Sequence, residues 1–231
     1  MNLELCTDCF EGALLAGRYG FKRIELCSAL SEGGLTPSFG MIKSCAEIGT
    51  VEVHAMIRSR GGSFTCNDEE LLIMESDIRA ASQAGAKGVV FGILDADMKV
   101  SKKNQKLVDL ARSFGLQTTF HRAFDQVYDP FEALDQLIQM GFDRLLTSGL
   151  KDKAKDGLEL ISAMHQKFGS KIEIMAGSGV NPGNALSLSK TGIENLHFTA
   201  RKPSREKIIP GMGVNMITDE EKMRAISDLF A

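Results

Sequence analysis

Two hydrophobic patterns alternate along the whole chain: short runs of β-like composition, and longer stretches with apolar residues three and four positions apart. The short runs fall at residues 3–5, 23–26, 51–57, 88–92, 117–121, 143–147, 171–175 and 194–198. Helical spacing between them shows in Leu71, Leu72, Met74, Ile78 and Ala81, and again in Phe131, Leu134, Leu137 and Ile138. Asp129 stands in the N-cap place of the latter helix, and Pro130 at its first position, where a missing amide hydrogen costs nothing. Tyr19-Gly20, Ala84-Gly85, Phe114-Gly115, Met140-Gly141, Phe168-Gly169 and Thr191-Gly192 each set glycine just before a strand. Glycine most easily takes the left-handed conformation that closes a helix. Strand, helix, glycine and strand, repeated about eight times, predict a parallel sheet with right-handed crossovers. The expected fold class is α/β, a (β/α)₈ TIM-type barrel with parallel strands and outer helices. One domain is expected over residues 1–231, because no Pro- or Ser-rich linker divides the chain. An open, doubly wound sheet fits less well, since no GxGxxG or Walker loop follows the first strand.

Polar residues on the strands change the picture. Leu3-Glu4-Leu5-Cys6 and Ile24-Glu25-Leu26-Cys27 are nearly one tetrapeptide used twice. Side chains alternate across a strand, so Leu3, Leu5, Ile24 and Leu26 share the face that packs on helices, which turns Glu4, Cys6, Glu25 and Cys27 into the barrel. The third strand repeats this, with Glu52, His54, Met56 and Arg58 alternating with Val51, Val53 and Ala55. A buried carboxylate needs a partner, and Arg58, Arg60 and Arg122 are the expected counter-charges. The carboxyl-terminal strand ends, where barrel enzymes build their sites, carry His121-Arg122-Ala123-Phe124-Asp125, Thr147-Ser148-Gly149, Ala176-Gly177-Ser178-Gly179, and His197 with Thr199. Ser148, Gly177, Ser178, Gly179 and Thr199 form an expected anion-binding set. An internal ion network that only stabilises the barrel is the plainer alternative.

Composition narrows the partners. The 231 residues are 43% hydrophobic and 25% charged, and the net charge is −3 with Lys and Arg scattered, so neither nucleic acid nor an anionic membrane is expected. Glu4, Asp8 and Glu11 stand where a secretory signal needs a basic start, and no apolar run approaches a membrane span of ~20 residues. Five cysteines without zinc-finger spacing fit a reducing, cytoplasmic setting.

Several segments, in order, resemble the CutC copper-homeostasis family: Glu25-Leu26-Cys27, Glu32-Gly33-Gly34-Leu35-Thr36-Pro37-Ser38, and Ile57-Arg58-Ser59-Arg60-Gly61-Gly62. The resemblance continues through Phe120-His121-Arg122-Ala123-Phe124-Asp125, Leu146-Thr147-Ser148-Gly149, Met175-Ala176-Gly177-Ser178-Gly179 and His197-Phe198-Thr199-Ala200, nearly the length of the chain. It implies a cytoplasmic barrel, a homo-oligomer (dimer or tetramer), linked to copper handling and binding Cu(I) through cysteines. Ser59 departs from the family, where proline is usual between the arginines. So do Cys66, at a place where an aromatic is common, and the Cys6-Thr7-Asp8-Cys9 spacing.

Two functions stay open. Adjacent parallel strands lie ~4.8 Å apart, so Cys6 and Cys27 can reach one soft Cu(I) ion, with Met56 or His54 as a third ligand. The alternative is an isomerase- or lyase-type enzyme for a small anionic or phosphorylated metabolite. Its acid–base candidates are Glu4, Glu25, His54, His121 and Asp125, with Arg58, Arg60 and Arg122 orienting the substrate. Three arginines suit the second reading better than the first. A binding or structural role without turnover is the third. Cys45 reads as core, Cys66 as a loop thiol and Cys9 as part of the first helix.

Overall fold

The structure, a computed structural model, describes residues 1–205 and 214–231. Eight parallel strands close into a barrel in sequence order: β1 (Asn2–Thr7), β2 (Arg23–Leu26), β3 (Glu52–Met56), β4 (Gly88–Phe91), β5 (Gln117–Phe120), β6 (Arg144–Thr147), β7 (Glu173–Ala176) and β8 (Asn195–Thr199). β1 and β8 pair with one another and close the ring. The predicted (β/α)₈ barrel is the fold the chain adopts, with strand ends displaced by a residue or two from the sequence reading.

Helices α1 (Phe10–Arg18), α2 (Phe39–Ala46), α3 (Asp68–Gln83), α4 (Lys103–Ser113), α5 (Pro130–Met140), α6 (Leu158–Phe168), α7 (Ala185–Ser189) and α8 (Glu220–Ser227) follow the eight strands in turn. Their starts are chemically marked. Asn67 and Glu70 form a reciprocal capping box on α3. Asp129 accepts the amide hydrogens of Phe131 and Glu132 at the Pro130 end of α5, as predicted. Gly141 closes α5 in the left-handed region at φ 88°. Gly169 does not; its φ is −59°. There the demand is for space, since a Cβ would lie 2.5 Å from His165 Nδ1.

Strand alternation sorts the interior into two layers. Leu3, Leu5, Ile24, Leu26, Val53 and Ala55 join the large core between barrel and helices. Cys6, Cys27, Met56 and Val90 form a separate, small cluster inside the barrel. After β8 the chain adds an antiparallel ribbon, β9 (Arg201–Pro203) with β10 (Met216–Thr218), which the sequence reading missed. Arg201 reaches Asp8 at the end of β1, 3.1 Å away, and Thr218 lies 3.5 Å from Cys9 Sγ, so the ribbon borders the mouth of the barrel. Among the described residues no helix is long and apolar enough to cross a membrane.

Candidate functional site

Register brings the polar interior together. Glu4 is level with Arg23 on one side and His197 on the other. Arg23 Nε donates to Glu4 Oε2 at 2.9 Å, and Arg23 Nη2 to Asn195 Oδ1 at 2.9 Å. The second Glu4 oxygen lies 2.9 Å from His197 Nδ1. His197 Nε2 in turn stands 3.7 Å from Glu25 Oε2, which accepts a hydrogen bond from the Cys27 thiol at 3.6 Å. One ligand atom from each of Cys6, Glu25 and Cys27 falls within 4.8 Å of the others. Met56 packs beside the thiols, and Gly34, in the loop after β2, covers them. A Cβ at Gly34, whose φ is +92°, would sit 3.1 Å from Cys27 Sγ.

This line of groups runs from a charged floor to a thiol mouth. Burial works against the Glu4 charge, yet the His197 hydrogen bond and the charges of His197 and Arg23 hold its carboxyl well below the ordinary range. Burial raises Glu25, with the Glu4 charge adding to it. His197 is buried too, but the Glu25 charge and its bonds to Cys6 and Glu4 push its pKa well up. The hydrogen bond that Cys6 donates to Cys27, burial and the Glu25 charge raise Cys6. Although its bond to Cys6 acts the other way, burial and Glu25 push Cys27 up to about 11.

The arginines are not the counter-charges expected from sequence. β3 ends at Met56, and alternation ends with it. Arg58 turns away to donate to the carbonyls of Glu32, Gly34 and Gly62, with its guanidinium 4.9 Å over the Phe64 ring. Arg60 pairs with Glu70, and Arg122 with Asp125 and Ser148. Arg23 and His197 neutralise the carboxylates instead. Arg23 was readable, because it is two residues before Glu25 on the same face; His197 was placed correctly at the end of β8 but without its partner.

His54 also departs from expectation. It is wholly buried with neither ring nitrogen hydrogen-bonded, and burial lowers its pKa. Its nearest anion is Glu52, 3.8 Å away, and Glu4, Arg23 and Arg144 are the other charges it feels, which places it toward the floor rather than beside the thiols. Burial, then the Arg58 charge, push the His121 pKa down to about 3, away from the range that suits a general base near neutrality.

Much of the expected anion-binding set is already engaged within the protein. Asp125 already takes the amide hydrogens of Ser148 and Leu150 and the hydroxyls of Thr147 and Ser148, so the protein supplies its own anion after β6. Ser178 Oγ donates to the Asp152 carbonyl, Gly177 packs on Leu146 and His197, Gly179 lies over Lys153, and the Thr199 carbonyl accepts from Lys222. Asp125→Ala should therefore cost about 3 kcal/mol by stranding buried donors, read as a lower urea midpoint at constant slope. A loss within ~0.5 kcal/mol would mean that water replaces the carboxylate. Backbone strain also gathers on this face: Ala29, Met98, Leu150 and Ser178, the non-glycine residues with positive φ among those described, all lie in loops that follow strands.

The similarities to known proteins agree with this architecture. A profile of the CutC family matches residues 1–202. A family protein CutC of Vibrio vulnificus strain YJ016 is 45% identical over 212 residues, covering 90% of this chain and 85% of its own length. One from Histophilus somni strain 2336 is 37% identical and covers 100% of this chain and 99% of its own. Among solved structures, the protein from Streptococcus agalactiae named as a candidate copper homeostasis protein CutC superposes with a TM-score of 0.81 at 32% identity, over 86% of this chain and 98% of that one. Thiamine phosphate pyrophosphorylase of Pyrococcus furiosus, at 15% identity and TM-score 0.62, shares the fold alone.

Proposed function

The chain belongs to the CutC family, and from that premise we propose that it serves copper homeostasis by holding Cu(I) between Cys6 and Cys27 at the inner mouth of the barrel. The observation that carries this reading is the pair of buried thiols, gathered with Glu25 within 4.8 Å, above carboxylates that the protein has already paired with Arg23 and His197. Zinc–sulfur bonds are roughly 2.3 Å long, so two sulfurs at this spacing can share one soft ion of similar size. Cu(I) prefers such thiolate ligands. Met56, in the same cluster, supplies a thioether where a third ligand is wanted, and Glu25 Oε1 has no hydrogen-bond partner among the described residues. Copper is cargo in this reading. All the cysteines are free, which suits a reducing cytoplasm, and association into a homo-oligomer is part of the proposal.

The test is stoichiometric. Reduced protein should take up about one Cu(I) per chain against a competing chelator, and Cys6→Ser with Cys27→Ser should bring uptake to background while the circular dichroism spectrum stays native. Serine retains the volume and a polar hydrogen but is a poor ligand for a soft ion. Equal uptake by the folded double variant would remove this site from copper chemistry.

A further inference from the structure

A second site lies on the same face and shares no lining residue with the thiol cluster. The loop between β3 and α3 arches over a narrow cavity of about 30 Å³ that is open to solvent, room for the oxygen end of a ligand whose body stays in the mouth, walled by Arg58, Ser59, Phe64, Cys66, Gly92 and His121 among others. We propose that His121 is a fixed hydrogen-bond donor that receives the carboxylate or carbonyl oxygen of a small ligand in this cavity.

Geometry defines the donor. His121 follows β5 and is only 5% exposed. Its Nδ1 accepts the amide hydrogen of Ala123 at 3.2 Å, which in a neutral ring puts the remaining proton on Nε2. Nε2 has no hydrogen-bond partner among the described residues and is not among the polar atoms sealed from solvent, so it is the edge left to meet the cavity. The ring is held on several sides. The Phe64 centroid is 4.9 Å away and that of Phe120 6.1 Å, and a Cβ at Gly92 would come within 2.7 Å of Nδ1. A depressed pKa of about 3 keeps the imidazole neutral throughout the physiological range, so it donates without becoming an acid. A neutral imidazole, its pKa lowered at a helix N-terminus, polarises a carbonyl in this way in triosephosphate isomerase.

The surroundings select the ligand. A protonated Nε2 offers no lone pair, so the Cys66 and Met74 sulfurs, 3.9 Å apart on the same wall, gain no imidazole ligand for a soft ion. Arg58 spends donors on three carbonyls and Arg60 on Glu70, yet Arg58 still contributes positive potential at the ring. The Ser59 hydroxyl lines the cavity without a partner among the described residues. One N–H, one O–H and a nearby positive charge suit a carboxylate or carbonyl; the three oxygens of a phosphate would be left short of donors. Within the small anionic or phosphorylated metabolites expected from sequence, this favours a carboxylated one.

The experiment titrates pyruvate, which carries both groups, into reduced protein and follows the His121 Nε2–H resonance by ¹⁵N NMR. That resonance should shift saturably. His121→Asn, which can still cap the Ala123 amide but cannot reach the cavity, should weaken binding about tenfold or more, Ser59→Ala by less, and the Cys6/Cys27 double serine variant should bind as the parent does. A resonance unmoved by pyruvate overturns the proposal in the parent protein itself, whatever the variants do. Undiminished binding in His121→Asn overturns the donor's role, and an equal response to inorganic phosphate overturns the ligand class.

Discussion

Replacing Arg23 with methionine should destabilise the barrel by about 3–5 kcal/mol, the usual consequence of removing one partner from a buried ion pair. Arg23 is fully buried and Glu4 is 1% exposed, so no water stands ready to take the place of the guanidinium. Methionine fills much of the stem's volume, which leaves the stranded Glu4 oxygen as the main loss, while Asn195 Oδ1 keeps the Asn2 side-chain amide at 3.2 Å. Arg60→Met provides the contrast: in that ion pair with Glu70 the arginine side chain is 44% exposed, and stability should change far less. Charge linkage gives a further check. Glu4 is held below the 4.5 of a free glutamate, so its stabilising effect is full above that value and fades as the pH falls toward its folded pKa. The gap between parent and Arg23→Met should narrow in acid accordingly. Urea denaturation at several pH values measures all of this, and a gap below ~1 kcal/mol at neutral pH would mean that His197 alone satisfies Glu4. Adding Glu4→Leu to Arg23→Met should recover much of the loss, because no carboxylate is then left without its guanidinium and His197 keeps Glu25 3.7 Å away.

The residues that were legible in the sequence share one property: their position follows from a period of two. Leu3, Glu4, Leu5 and Cys6 sort themselves once one face is known to meet helices, and Ile24 through Cys27 repeat the solution one strand over. Arg23 obeys the same rule and lies within the predicted second strand, but its side chain was not assigned to the inner face it shares with Glu25. Arg58 was the opposite error. The alternation of β3 was carried two residues past Met56, beyond the strand, where loop geometry and the Phe64 ring decide direction. Asp125 was placed on the carboxyl-terminal face, but its role as an internal anion could not be read, because its donors at Thr147, Ser148 and Leu150 come from another strand end and converge only in three dimensions. The β9–β10 ribbon escaped because two three-residue strands leave too little pattern to read.

Copper affinity should rise steeply with pH, by about tenfold per unit for each thiol proton released to solvent and so by up to about a hundredfold per unit for two. The reason lies in what the mouth does to its thiols. Cys27 is pushed up to about 11 and Cys6 is raised as well, so at neutral pH both are protonated and a bound ion must displace those protons. A free, exposed dithiol would lose this dependence once the pH passed ~8.5; the buried pair should keep it to more alkaline values. Glu25→Gln sharpens the test. Removing its charge takes away one of the causes that raise both thiols, so the variant should hold Cu(I) more tightly near neutrality unless the carboxylate is itself a ligand, in which case affinity falls. Competition titrations from roughly pH 6 to pH 9, in the range where thiols normally titrate, distinguish these outcomes. A flat profile in the parent protein would mean that protonated sulfur is not what the ion displaces, and Cys6 and Cys27 would then cease to be its ligands.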